Sequence, residues 1–187
     1  MRLSQARIAP VNLSAATAEQ HAFLKPYETP TGILNIYRTM ARNIDAARSF
    51  HGWGGYVLRR AKFDNQLREL VILRIGWLCR SGYEWAQHTR RARREGMTEE
   101  TIARIKQGAH VDGWTEVERL VLRAADELHA TRFLSDATWK ALQQFLSEEE
   151  LMNLVFIVAH YTQVCMVLNT FGVQLEDGVA LDEDLRT

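Results

Sequence analysis

The chain has 187 residues with 23 basic and 23 acidic side chains, so its formal net charge at pH 7 is zero. This length suits one domain with a sizeable core, and a hydrophobic share of 47% excludes an intrinsically disordered chain. The balanced charge argues against a protein built to bind nucleic acid, whose phosphates call for a basic surface.

The N-terminal region contains all three prolines, within the first 30 residues. Residues 1–30 are therefore predicted to form an extended arm with one short helix near residues 15–24, and residues 31–187 to form one helical domain. Helical periodicity begins at residue 33, and Asn43 is placed to cap a helix that runs towards Arg59. Inside that helix the segment His-Gly-Trp-Gly-Gly at 51–55 predicts a kink or a close helix contact, because each glycine costs about 1 kcal/mol relative to alanine.

Two helices are predicted next, with a short break between them. Asp64 is a good N-cap for a helix over residues 65–79, which is apolar nearly all round and is therefore expected to be buried. A second helix is predicted over residues 83–95, and Gly96 is placed to end it.

The C-terminal part is also predicted to be helical. Thr98, Thr115 and Ser147 begin helices, the last two through the Ser/Thr-x-x-Glu capping box. The span 151–171 is the most apolar in the chain, but polar residues interrupt it, which indicates a buried core helix rather than a membrane span. No alternating run is long enough for a sheet, so the predicted fold class is all-α, and we expect no membrane partner.

Buried polar side chains near the predicted helix pair are the candidate catalytic residues. Arg74 lies in the middle of an apolar helix, and a buried arginine needs a partner. Glu84 and His88 are four residues apart and so share one face of the next helix. If the two helices pack as a hairpin, Glu69 and Arg74 converge with that pair, an arrangement suited to proton transfer near neutral pH. A buried salt-bridge network that only fixes the hairpin is the alternative interpretation.

Aromatic side chains and histidines near these residues are candidates for substrate binding. Trp85 and Tyr83 flank Glu84 and are candidates for the wall of a pocket, while His160 and Tyr161 are candidates from the apolar last helix. The alternative for each is an ordinary core position. Glu84 and His88 alone are too few for a zinc site, so no metal is predicted. The basic run at 90–94 is assigned to a solvent-facing or subunit-facing helix surface.

The stretch Arg68-Glu-Leu-Val-Ile-Leu-Arg74, followed by Ser81-Gly-Tyr-Glu84-Trp-Ala-Gln-His88, resembles the carboxymuconolactone decarboxylase family, including its alkylhydroperoxidase AhpD-like members. The resemblance spans roughly residues 33–172 and implies an AhpD-like helical fold with a central buried hairpin. In the AhpD-like branch the second helix begins with Cys-x-x-Cys-x-x-x-His, after a glutamate on the previous helix. That pattern falls on Ser81, Glu84, His88 and Glu69 of this sequence.

Both cysteines of the family motif are thus replaced, which removes the thiol pair that peroxide reduction needs. The two cysteines present, Cys79 and Cys165, are interpreted as small buried apolar residues without a redox motif. What the resemblance leaves is acid–base chemistry on a small carboxylic acid or lactone, without a cofactor. His88 is then the general acid/base, Glu84 or Glu69 orients and tunes it, and Arg74 pairs those carboxylates or binds a substrate carboxylate.

The alternatives are an AhpD-like peroxidase-related oxidoreductase and a non-catalytic member of the fold. The resemblance also implies a homo-oligomer, a trimer or a hexamer, and the helix at 65–79 is expected to be too apolar for a small monomer to cover. A signal peptide's apolar stretch is missing from the N-terminal residues, so the expected location is the cytoplasm. A small-molecule substrate is the other expected partner.

Overall fold

The computed structural model describes residues 3–186, and over these residues it contains helices and no β-strand, which confirms the all-α prediction. The α-helices are α1 (Ala18–Leu24), α2 (Asn35–Met40), α3 (Ile44–Arg59), α4 (Asn65–Leu78), α5 (Gly82–Arg94), α6 (Glu99–Ile105), α7 (Glu116–Thr131), α8 (Asp136–Leu142) and α9 (Glu148–Phe171). Three short 3-10 helices lie at Leu13–Ala15, Lys25–Tyr27 and Glu183–Leu185.

Side-chain caps fix the helix starts that the sequence predicted. The carboxylate of Asp64 accepts the backbone N–H of Leu67 at 2.9 Å, which places the start of α4. Complete capping boxes begin α7 at Thr115 and α9 at Ser147. Each cap satisfies N–H groups that the first turn of a helix leaves without a partner, so a local sequence pattern is enough to set the start.

The turn between α4 and α5 brings two helices into an antiparallel hairpin. The backbone N–H of Ser81 donates to the carbonyl of Gly76 at 2.9 Å, and Arg80 between them has a left-handed φ of 54°. This is the hydrogen-bond pattern that commonly ends a helix in a tight turn. Because only three residues separate α4 from α5, side chains on their facing surfaces meet.

Helix α4 is the centre of the fold. Its residues from Arg68 to Gly76 are all buried, and α5, α7 and α9 of the same chain pack around it. The expectation that a monomer fails to cover this helix is therefore wrong. The longest helix, α9, is long and apolar enough to cross a membrane by length and composition, but 56% of its most apolar window is buried within the fold. A helix that packs on α3, α4 and α7 in this way is a core helix, as predicted.

The N-terminal segment packs against α2 and α3 through a second, smaller apolar cluster. Phe23 and Leu24 of α1 are buried there together with Ile33, Ala41 and Ala47. The backbone N–H of Val11 donates to the carbonyl of Arg38 at 3.0 Å. The segment thus lies along the edge of the helical domain, and the division at residue 30 remains a prediction.

Candidate active site

The hairpin of α4 and α5 places two carboxylates on either side of one imidazole. Nδ1 of His88 lies 2.6 Å from Oε2 of Glu69, and Nε2 of His88 lies 3.1 Å from Oε1 of Glu84. All three side chains are buried, with 9% of His88, 1% of Glu69 and 4% of Glu84 exposed. The predicted convergence of these three residues is therefore seen in the structure.

The two nitrogens of His88 are in different situations. Nδ1 makes a short, aligned hydrogen bond with Glu69, whose other oxygen lies 2.8 Å from Nε of Arg91. Nε2 is close to Glu84 but poorly aligned with it, and Oε1 of Glu84 has no hydrogen-bond partner among the described residues. Glu69 therefore holds the ring, while Nε2 and the Glu84 carboxylate keep the capacity to exchange a proton with a bound molecule.

Burial and mutual charge shift the titration of this cluster. Desolvation raises the pKa of Glu84 to about 6, although the neighbouring His88 opposes the shift. Burial acts to lower the pKa of His88, but the carboxylates of Glu84 and Glu69 outweigh it and raise the pKa above its ordinary value. The pKa of Glu84 is thus raised towards neutral pH and that of His88 is raised above its ordinary value, and a general acid or base is most effective when its pKa lies near the operating pH.

A cavity of about 210 Å³ opens onto the cluster. The ring of Tyr161 stands edge-on to His88, with centroids 5.1 Å apart, and burial raises the pKa of its phenol, so it stays neutral. His160 is next to it at 5.3 Å, and burial lowers its pKa to about 4. Both predicted substrate-binding residues of α9 line this cavity.

The glycines of α3 make room for His160. A Cβ on Gly54 would lie 2.8 Å from Nε2 of His160, closer than carbon and nitrogen approach without displacement. Helix α3 runs without interruption through residues 51–55, and the close helix contact, one of the two predicted outcomes, is present. The glycine pattern was the sequence signal for this wall of the cavity, although it did not identify the residue across from it.

Arg74 lies outside this site, which corrects both roles predicted for it. Its Nε is 2.6 Å from Oδ1 of Asp126 on α7, and its Nη1 donates to the carbonyls of Ile105 and Lys106 at 2.9 Å. Five positions separate Glu69 from Arg74, which is about 140° around a helix of 3.6 residues per turn. The two side chains therefore leave α4 in nearly opposite directions.

The two aromatic candidates beside Glu84 are placed differently from each other. Tyr83 borders the cavity, but its hydroxyl donates to Glu176 at 2.6 Å. Trp85 lines a separate cleft of about 550 Å³, and its indole N–H donates to Asp182 at 3.1 Å. Consecutive helical residues point about 100° apart, so Trp85 does not form a wall of the pocket at His88.

Residues that the sequence did not single out complete the cavity. They come from the N-terminal segment, α2, α3 and α5, and the chief ones are Tyr27, Tyr37, Phe50, His51, Arg59, Arg91 and Arg94. Tyr27 and Tyr37 carry no catalytic motif and lie far from the hairpin in sequence. The packing of the N-terminal segment and of α2 against α3 brings them to the site.

The two cysteines lie close together in space. The side chain of Cys165 on α9 interacts with those of Cys79 and Ser81, and the amide of Asn169 donates to the carbonyl of Cys79 at 2.9 Å. Within residues 3–186 they form no disulfide. Burial raises the pKa of Cys165, so its thiol is held in the unreactive protonated form.

Within residues 3–186, no group of three or more His, Cys, Asp or Glu side chains converges as a metal site would require. The cluster offers a buried imidazole held by one carboxylate and facing another, at the closed end of a cavity. The protein is thus all-helical, and its site contains the acidic and basic groups that proton transfer requires.

Residues 45–127 match the sequence model of the Carboxymuconolactone decarboxylase family. The matched segment includes Glu69, Glu84 and His88, and it lacks the Cys-x-x-Cys motif. Among curated protein sequences, none matches the chain significantly.

Several solved structures share the fold. A peroxidase-related protein from Ralstonia eutropha, described as an alkylhydroperoxidase AhpD core, is 16% identical, with a TM-score of 0.80 over 92% of this chain and 93% of that one. A peroxidase-related protein from a Silicibacter species is 11% identical, with a TM-score of 0.80 over 96% and 97%. The debrominase Bmp8, in a complex with 2,3,4-tribromopyrrole, is 18% identical, with a TM-score of 0.77 over 93% and 94%. At such identities the likeness establishes the AhpD-like fold.

Proposed function

We propose that this protein catalyses a cofactor-free acid–base reaction, a decarboxylation, an isomerisation or a lactone conversion, on a small carboxylic acid or lactone. The observation that carries the proposal is the buried row Glu69–His88–Glu84, whose Nε2 and Glu84 carboxylate face a cavity. A salt bridge that merely joined α4 to α5 would need no cavity beside it.

Each member of the row has a distinct part in the proposed reaction. Glu69 accepts the Nδ1–H of His88 and so orients the ring and stabilises its protonated form. Glu84 removes a proton from the substrate, and Nε2 of His88 delivers one to the carbon or oxygen where negative charge develops. In a decarboxylation, loss of carbon dioxide leaves a carbanion, and the Nε2–H of His88 protonates it.

The test is NMR in D2O with a panel of small carboxylic acids and lactones, some carrying a 13C carboxyl group. The proposal expects carbon dioxide release, double-bond migration, ring opening or deuterium uptake with at least one compound, and its loss in Glu84→Gln. Glutamine keeps the shape of the side chain but cannot accept the proton. If Glu84→Gln performs the reaction at the wild-type rate, the proposed base is wrong.

The pH dependence of kcat/KM is expected to be bell-shaped for this reaction. The rate falls on the acid side as Glu84, with its pKa raised to about 6, takes up a proton and loses its capacity as a base. The rate falls on the alkaline side, above the ordinary pKa of histidine, as His88 loses the proton it must donate. The two limbs belong to the coupled pair. A rate that is flat between pH 5 and 9 contradicts this assignment.

The adjacent thiols favour one second candidate, a hydroperoxide reductase. In that reaction the two thiols reduce a hydroperoxide to an alcohol and water and are themselves oxidised to a disulfide. The buried, protonated thiol of Cys165 argues against it, because the thiolate is the nucleophile.

The double variant Cys79→Ser, Cys165→Ala separates the two candidates. We expect it to keep the acid–base activity within about threefold, since neither cysteine lines the cavity at His88. Alanine is chosen at position 165 because the site is fully buried and a hydroxyl there would add a polar group to the core. A loss of more than about a hundredfold, which is about 2.7 kcal/mol in the barrier, would restore the thiol mechanism.

We also propose that the chain forms a homo-oligomer and acts in the cytoplasm, where neighbouring thiols stay reduced. Support for assembly comes from α3 and α9, whose outer faces expose large apolar side chains: Trp53 (41%), Met152 (51%) and Met166 (58%). A groove of about 770 Å³ runs between these helices. Apolar surface of this kind is typical of stable subunit interfaces.

Sedimentation is expected to show a mass above the 21.5 kDa of one chain at micromolar concentration. Met166→Glu should shift the protein towards the monomer, because an interface core that buries a charge loses several kcal/mol. Glu148→Gln, at the start of α9, is the control and should leave the mass unchanged. A wild-type monomer contradicts the proposal.

A further inference from the structure

An aromatic wall closes the outer side of the cavity that holds His88. The rings of Tyr27 and Tyr37 are stacked with centroids 4.1 Å apart, and His51 lies 4.8 Å from Tyr37. Phe50 continues the series inward and lies 5.1 Å from His160. All five residues line the same cavity. Aromatic rings stabilise each other in offset or edge-on arrangements, and a further planar ring in the cavity would be bound in the same way.

Cationic side chains stand at the mouth of the same cavity. Arg59 and Arg94 line it and are exposed, and among residues 3–186 no carboxylate lies within 4 Å of either guanidinium. The guanidinium of Arg59 lies back against α3. Its Nη2 is only 2.8 Å from the position that a Cβ on Gly55 would occupy. Arg91, by contrast, is engaged with Glu69. The mouth therefore presents two uncompensated positive charges, whereas the inner end presents the Glu84 carboxylate.

The size of the cavity limits what it accepts. A cavity of about 150 Å³ holds benzene, so one of about 210 Å³ has room for a single six-membered ring and one small substituent. A second anionic group on the inner side would meet the carboxylate of Glu84, so a dianion is disfavoured.

We infer that the ligand of this site is a single-ring aromatic monocarboxylate. Its ring lies against Tyr37 and His51, its carboxylate binds Arg59 and Arg94 at the mouth, and the opposite edge of the ring faces His88 and Glu84. The inference rests on the proposed function, whose substrate class it names. Because the carboxylate is held at the mouth, away from His88, this ligand favours an isomerisation by proton transfer at a substituent on the opposite edge of the ring, and not decarboxylation. The stacked pair Tyr27 and Tyr37 lies outside the family-matched segment 45–127, whereas Phe50 and His51 of the same wall lie inside it.

The test is isothermal titration of the full chain with benzoate, compared with benzamide and cyclohexanecarboxylate. Benzamide keeps the ring without the charge, and cyclohexanecarboxylate keeps the charge without the planar ring. Benzoate is expected to bind about 10- to 100-fold more tightly than benzamide, the effect of a charge-assisted hydrogen bond. Cyclohexanecarboxylate is expected to bind about 5- to 10-fold more weakly than benzoate. Equal binding of either analogue, or no binding of benzoate, overturns the inference.

Variants assign the binding to this cavity. Arg59→Gln with Arg94→Gln should weaken benzoate binding about 10- to 100-fold, and Tyr37→Leu should remove the preference for benzoate over cyclohexanecarboxylate. Arg90→Gln is the matched control, because Arg90 is an exposed arginine on α5 that lines the separate cleft at Trp85. If the arginine double variant and Arg90→Gln bind benzoate alike, the inference is wrong. Thermal melting shows whether Tyr37→Leu is folded, and the arginine variants decide the case if it is not.

His88→Gln distinguishes failure of this inference from failure of the proposed function. It should still bind benzoate, since binding depends on the mouth and the aromatic wall. If wild type binds benzoate through Arg59 and Arg94 but transforms no carboxylic acid, the ligand class stands and the acid–base function falls. If another carboxylate is transformed while benzoate does not bind, the function stands and the inference falls.

Discussion

His88→Gln is expected to lower the turnover of the acid–base reaction by about 10²–10⁴-fold while the protein stays folded. Glutamine has a hydrogen-bonding side chain of similar reach and tolerates a helix, but it cannot take up or release a proton near pH 7. Glu69 keeps its contact with Arg91 at 2.8 Å, so its buried charge is not left alone. The stability loss should therefore be about 1 kcal/mol, one hydrogen bond.

Turnover and urea unfolding measured on the same preparation test this expectation. His110→Gln is the control, since His110 is exposed and lies outside the cavity. Normal turnover in His88→Gln, or unfolding without it, would mean that the row Glu69–His88–Glu84 is a structural network.

Arg74→Met should instead destabilise the fold, by about 3 kcal/mol. The substitution removes the ion pair with Asp126 at 2.6 Å and leaves the carbonyls of Ile105 and Lys106 without their charged donor. Arg74 ties α4 both to the end of α6 and to α7. Methionine fills similar volume, so the loss reflects the polar contacts and not a cavity.

Urea unfolding of Arg74→Met and of Arg90→Met gives the comparison. Arg90 is an exposed arginine, and its replacement should change stability by less than about 0.5 kcal/mol. Since Arg74 lies outside the cavity, the folded fraction of Arg74→Met should bind ligand and turn over as wild type does. A variant as stable as wild type but inactive would return Arg74 to the site.

Local sequence patterns were sufficient to predict most helices and part of the site. Caps at Asp64, Thr115 and Ser147 act within one turn, so their outcome does not depend on distant residues. The pairing of Glu69 with His88 followed from the short α4–α5 connection, which leaves the two helices one way to pack.

The remaining contacts depend on which distant helices meet, and the sequence does not state that. No sequence pattern near Arg74 indicates that its partner is Asp126, 52 positions away. Cys79 and Cys165 are likewise neighbours only because α9 packs along α4. Tyr27 reaches the cavity from the segment that the sequence predicts to be an extended arm with one short helix.

Gly54 lowers the stability of helix α3 but leaves space beside it for the side chain of His160. In the middle of a helix, glycine costs about 1 kcal/mol relative to alanine. Considered for helix stability alone, the single substitution Gly54→Ala would remove that cost. That substitution would place a methyl group 2.8 Å from Nε2 of His160, so the imidazole on the wall of the cavity would have to shift. Gains in thermal tolerance at this position are therefore opposed by loss of the binding volume, the stability–activity trade-off that keeps active sites below their best packing.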